Sequence, residues 1–156
     1  MKRLETRGIN LDGDTMYKIL VVEKEEAIQI LYADELTREG YEVITSGDGS
    51  RVMGLIEKNS PDLIMLAIRL GKYDGLDLLQ DIRNTYYHLP VVLCSAYPHF
   101  RYDPRSIAAD YYVVKRSDLK ELKQKVRMAL EGCKHIFGKT KNNDINQKVT
   151  PLQSAF

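Results

Sequence analysis

Pro61-Asp62-Leu63-Ile64-Met65-Leu66-Ala67-Ile68-Arg69-Leu70-Gly71-Lys72-Tyr73-Asp74-Gly75-Leu76-Asp77-Leu78-Leu79 is the stretch that decides the fold. The apolar run Leu63 to Ala67 is entered just after a proline and left through a loop containing Gly71, so it reads as a strand buried on both faces. Asp74 then stands where a side chain caps a first turn, and Leu76, Leu79 and Ile82 recur at three-residue spacing, which predicts an amphipathic helix. A doubly buried strand followed by a helix is the repeating unit of a parallel α/β sheet.

The same unit recurs on both sides of this stretch. Upstream, the strand Lys18 to Val22 leads to a helix over Glu25 to Glu39, with Ala27, Ile28, Leu31 and Leu36 expected on its buried side and Gly40 ending it. A second strand, Tyr41 to Thr45, passes through a Gly47-to-Ser50 turn into a helix carrying Val52, Leu55 and Ile56, and Pro61 closes the unit. Downstream, Pro90 introduces the strand Val91 to Cys94. Pro98 and Pro104 then leave room only for a short helix displaced toward Arg105 to Ala109. A fifth strand, Tyr111 to Val114, precedes a last helix capped by Ser117, with Leu119, Leu122, Val126 and Leu130 as its buried stripe. Parallel neighbours need crossovers, and here the crossovers are helices, so the expected architecture is a doubly wound five-stranded parallel sheet with helices on both faces. In such sheets function sits at the carboxyl ends of the strands. Glu23 and Lys24, Ala67 and Arg69, Ser95, and Lys115 are therefore expected to converge on one cleft.

Composition narrows what that cleft can serve. The chain has 156 residues, the size of one compact domain, and its 23 basic and 22 acidic side chains nearly cancel. A net charge of +1 recruits no nucleic acid by its global field. The 2 cysteines, Cys94 in an apolar run and Cys133 near the polar end, make neither a disulfide framework nor a metal-ligand spacing, and read as a core residue and an exposed thiol. No apolar run approaches the roughly 20 residues that span a bilayer, and the N-terminus has no signal-peptide core, so a cytoplasmic location and no membrane partner are expected.

Four segments, KILVVEKEEA (18–27), PDLIMLAIRLGKYDGLDLL (61–79), LPVVLCSAY (89–97) and ADYYVVKRSDL (109–119), resemble the successive signatures of the bacterial response-regulator receiver family over roughly Tyr17 to Glu131. The resemblance implies a flavodoxin-like, CheY-like fold with strand order 2-1-3-4-5. It also implies a Mg²⁺-dependent switch in which an acidic pair holds the metal, an aspartate accepts a phosphoryl group, and a hydroxyl and a lysine bind the phosphate. Carried onto this chain, the acidic pair falls on Glu23 and Lys24, the acceptor on Ala67, the hydroxyl on Ser95, the lysine on Lys115 and the switch aromatic on Tyr112.

The departures from that pattern have direct chemical consequences. A methyl group at Ala67 offers no nucleophilic oxygen, so no acyl phosphate forms there. The Lys24 ammonium has no lone pair for Mg²⁺ and adds a like charge, which leaves no expected metal site. Glu25 and Glu26 fit a helix first turn on dipole grounds alone. Lys115 either pairs with Glu23 or binds an anion with Ser95, and Tyr112 either packs or reports conformation. Tyr86, Tyr87, Tyr97 and Tyr102 concentrate phenols near the fourth and fifth strands, as interfaces do.

The leading expectation is a stand-alone degenerate receiver, not an enzyme, that binds signalling proteins (a sensor kinase, a phosphotransfer protein or an effector) without aspartyl phosphate. The alternative is an ordinary Mg²⁺-dependent receiver carrying an acceptor-dead substitution at Ala67. A cleft-binding small-molecule carrier is a third reading, disfavoured because no glycine-rich cradle follows the first strand. Residues 1–16 and 133–156 read as a flexible extension and a mobile polar tail around a 17–132 domain, without a nucleic-acid-binding output. The family resemblance further suggests a homodimer through the fourth helix, fifth strand and fifth helix.

Overall fold

A computed structural model describes residues 13, 15–115 and 118–142. Its elements run β1 (Lys18–Val22), α1 (Glu26–Arg38), β2 (Glu42–Ser46), α2 (Val52–Asn59), β3 (Leu63–Ala67), β4 (Arg69–Leu70), β5 (Tyr73–Asp74), α3 (Gly75–Thr85), β6 (Val91–Ser95), β7 (Tyr111–Val114) and α4 (Lys120–Asn142). Five strands form one parallel sheet in the order β2-β1-β3-β6-β7, while β4 and β5 form a separate antiparallel hairpin. The expected 2-1-3-4-5 order is therefore present, with the hairpin inserted between β3 and α3. That hairpin went unread in the sequence because strands of 2 residues carry no periodic signal.

Alternation along each strand builds two apolar layers. Leu20, Val22, Ile64, Leu66 and Leu93 face α2 and α3, where they meet Val52, Ile56, Leu76, Leu79 and Ile82. Ile19, Val21, Leu63, Met65 and Val92 face α1 and α4, where they meet Tyr32, Leu36, Leu122, Val126 and Leu130. Cys94 lies in this second layer, and burial pushes its thiol pKa up to about 12, so it packs as a small apolar residue. The Cys133 side chain and the cap expected at Ser117 lie outside the described residues, as do nearly all of the expected N-terminal extension and the chain beyond Asn142.

Two helix expectations need correction. On α1, Ala27 and Leu31 are exposed, and the buried stripe is Tyr32 and Leu36 with Ile28 partly covered. The seam is completed by polar contacts: Glu35 Oε2 lies 2.7 Å from Lys123 Nζ on α4, joining the two helices of that layer. The crossover between β6 and β7 is not one short helix near Arg105 to Ala109 but two 3₁₀ helices, Pro98–Tyr102 and Pro104–Ala108. Each proline occupies a helix start, where its missing N–H costs nothing, and together they interrupt any longer α-helical ladder. Asp103 caps the second by accepting from the Arg105 amide at 2.9 Å.

The Glu35–Lys123 pair gives a pH prediction. The hydrogen bond from Lys123 and its charge hold the Glu35 carboxyl below its ordinary 4.5. A depressed native value contributes stability above 4.5 that is lost as pH falls through the lowered value. Thermal melts of the chain and of Glu35→Gln are therefore expected to differ above that pH and to converge in more acidic buffer. Screening keeps the difference small, because neither side chain is deeply buried.

Candidate functional site at the strand ends

The carboxyl ends of β1, β3, β6 and β7 bring Glu23, Ala67, Ser95 and Lys115 together. Ala67 ends β3 in register with Cys94 and is 1% exposed. Glu23 follows β1 directly, and its amide donates to the Ser46 carbonyl at 3.0 Å, which continues the β1–β2 ladder one step and turns the side chain inward. Its carboxylate is one of the few buried polar groups among the described residues. Oε1 accepts from the Glu25 amide at 3.2 Å, and Oε2 lies 2.5 Å from Lys115 Nζ without the alignment of a regular hydrogen bond. The Glu23 side chain is 3% exposed and that of Lys115 18%, so the pair is largely withdrawn from water. Burying one of these charges without the other would be expensive, and the pairing offsets that cost.

Ser95 ends β6 and is buried. Its Oγ accepts from the Tyr97 amide at 3.1 Å, and its carbonyl accepts from the Lys115 amide at 2.7 Å. Both partners bind Ser95 to its own neighbourhood, and the second ties β6 to the end of β7. Lys24 points the other way: it is exposed, and its Nζ comes within 3.9 Å of the position a Cβ would take at Gly71. The expected acidic pair is thus one inward acid and one outward cation. Among the described residues no group of three or more His, Cys, Asp or Glu side chains is arranged to hold a metal.

Tyr112, on β7, packs against the cluster that includes Ala67 and reaches the crossover with its hydroxyl. Its hydroxyl donates to the Tyr97 carbonyl at 2.5 Å, its ring packs partly against the α2–α3 layer, and burial raises its pKa. The peptide groups on both sides of Tyr97 are therefore held, the amide by Ser95 and the carbonyl by Tyr112. Of the other tyrosines singled out, Tyr86 packs against the core, whereas Tyr87, Tyr97 and Tyr102 are exposed.

Sequence reading missed the arginines that fasten the crossover. Arg105 reaches Asp103 and Asp77 at 2.8 Å each and Asp74 at 3.3 Å, joining the second 3₁₀ helix to the start of α3. Arg83 on α3 donates to the Ala108 carbonyl at 2.6 Å and to that of Leu89, and pairs with Asp110 at 2.8 Å. The signal available was indirect. A proline-interrupted segment with no apolar period has to be held by side chains from elsewhere, and Arg83 and Asp110 lie 27 residues apart.

Residues 19–127 match the response regulator receiver domain. The probable transcriptional regulator ycf27 of Guillardia theta is 31% identical over 129 residues, which are 81% of this chain and 50% of that protein, so the chain spans about half the length of this curated relative. The crystal structure of the response regulator TrrA of Thermotoga maritima, in complex with Mg²⁺-BeF, superimposes with a TM-score of 0.72 at 38% identity, covering 74% of this chain and all (100%) of that one. TrrA in complex with the histidine kinase ThkA aligns with a TM-score of 0.70, again at 38% identity, over 74% of this chain and 99% of that one. Sheet order, the convergence of strand ends and these matches agree: the chain belongs to the response regulator receiver domain family.

Proposed function

We propose that this receiver works in two-component signalling through protein contacts that need no aspartyl phosphate. The carrying observation is the pocket floor, where the acceptor position holds the Ala67 methyl and the one inward carboxylate, Glu23, is already neutralised by Lys115. A methyl group cannot take a phosphoryl group, and a neutralised acid beside the outward Lys24 is a poor ligand set for Mg²⁺, which favours several hard oxygens. The residues present do not fit the metal that the family resemblance implies, so no step of the mechanism runs through one.

On this reading the domain is a cytoplasmic, non-enzymatic binding module, and its partner is a sensor kinase, a phosphotransfer protein or an effector. The complex of its relative TrrA with a histidine kinase supports that partner class. A homodimer, if formed, uses the 3₁₀ crossover, β7 and α4, and sedimentation at high concentration gives a monomer if that part of the reading is wrong.

The deciding experiment is intact mass of this chain and of Ala67→Asp after incubation with a small phosphodonor and Mg²⁺, with a melt of each to establish folding. Neither is expected to gain a phosphate. A gain by Ala67→Asp alone would instead support an ordinary switch whose acceptor has been substituted, and a gain by the unmodified chain would overturn the reading.

A further inference from the structure

Ion pairing within the fold leaves a particular set of cations over. Arg105 is occupied by Asp74, Asp77 and Asp103 and Lys115 by Glu23, whereas Lys72 lies 5.7 Å from the Tyr73 ring centroid. Lys24, Arg69 and Arg101 are exposed, and among the described residues none of them forms an ion pair. Two of the three are seated on phenol rings. The Arg69 guanidinium carbon lies 4.7 Å from the Tyr97 ring centroid, and that of Arg101 lies 5.3 Å from the Tyr112 ring centroid. Because the Tyr112 hydroxyl donates to the Tyr97 carbonyl, the two rings and their cations form one connected unit. Lys24 approaches the same rim through Gly71, two residues beyond Arg69.

A guanidinium seated over a ring uses its face, while its N–H donors lie in the plane of the group and point outward at its edge. That edge is the part that grips a carboxylate through two parallel hydrogen bonds. Ring support also restricts a long side chain before any partner arrives, so less conformational entropy is lost on binding. Against the receiver pattern, Ala67 removes a negative charge from the pocket beneath this rim, and Lys24 replaces a second negative charge by a positive one. Tyr97, under Arg69, and Tyr102, next to Arg101 in the chain, both keep exposed aromatic surface.

We propose that this rim docks an acidic peptide segment of a partner protein, its carboxylates on Arg69, Arg101 and Lys24 and its apolar side chains on Tyr97 and Tyr102. The proposal rests on the reading that the chain acts by phosphate-independent contacts, and it supplies the chemistry of the partner. A polyphosphate backbone is a poorer occupant, because it has no apolar side chains to cover the exposed Tyr97 and Tyr102 and the whole chain carries only +1 to attract a dense polyanion.

The test is fluorescence anisotropy of the full chain with a labelled peptide of alternating glutamate and tyrosine, its glutamine counterpart, and an oligonucleotide of equal charge. The glutamate peptide should bind, weaken steadily with added salt, and exceed the glutamine peptide by roughly tenfold or more. The double variant Arg69→Glu/Arg101→Glu should lose about tenfold or more in affinity, whereas Arg38→Glu, at the opposite edge of the sheet, should stay within about twofold. The salt and glutamine arms use the unmodified chain and so stand even if the double variant does not fold. Equal binding of the two peptides, tighter binding of the oligonucleotide, or a folded double variant that binds as well as the unmodified chain overturns the proposal. Absence of peptide binding in a sample that also takes no phosphate overturns this proposal alone, whereas a phosphate gain by the unmodified chain overturns the underlying reading.

Discussion

Gly75→Ala is expected to lower the melting temperature by about 10–15 °C, corresponding to ~3 kcal/mol, the upper end of overpacking costs. Gly75 begins α3 directly behind the end of β3, and its amide donates to the Ile68 carbonyl at 2.6 Å. A Cβ there would overlap the Ala67 carbonyl oxygen and stand 2.8 Å from Ile68 Cα. Both obstacles are backbone, so the helix start would have to move away from the strand rather than a flexible side chain yielding. Gly54 provides the contrast. It is exposed inside α2 with nothing within 4 Å of its missing Cβ, so Gly54→Ala should stabilise by ~0.5–1 kcal/mol through helix propensity alone. Thermal melts of the two variants beside the parent separate close approach from generic glycine effects. Similar shifts in both would refute the packing argument.

Lys115→Met is the second large effect, at ~3 kcal/mol, because it strands the buried Glu23 carboxylate among apolar neighbours. The reverse substitution should be milder. Glu23→Gln leaves Lys115 with 18% of its side chain exposed and a long stem on which to carry its charge to water, so ~1 kcal/mol is expected. The double variant Glu23→Leu/Lys115→Met should recover much of the loss, since replacing both members of a buried pair by apolar groups is often close to neutral. Urea unfolding of the set checks this. Equal costs for the two single variants would mean that the pair is effectively solvated.

The sheet was legible because most strands are short apolar runs, two of them (β3 and β6) entered after a proline, and runs of that kind separated by helical segments admit few arrangements. Which residues face which layer was harder to see, since a strand apolar on both sides shows no contrast between odd and even positions. Helix α1 misled for a related reason. Its buried seam includes Tyr32 and the Glu35 contact to Lys123, whereas Ala27 and Leu31, apolar by composition, point to solvent. At the site, convergence of Glu23, Ala67, Ser95 and Lys115 followed from topology, because all of them sit at strand ends. The target of Tyr112 did not follow. Its partner is a backbone carbonyl 15 residues away, on a loop whose path is set by prolines and arginine contacts.

The crossover's replacement of an α-helix by two short 3₁₀ turns changes what its order depends on. An α-helical connection would retain its own ladder of main-chain bonds, but i→i+3 bonds over such short spans are weak. Here order is imported: Gln80, Arg83, Asp74 and Asp77, all on or at the start of α3, hold the segment through side-chain bonds. The crossover and α3 therefore make one cooperative unit, whose amides should gain or lose solvent protection together. Rising ionic strength, which leaves a main-chain ladder untouched, loosens this unit first.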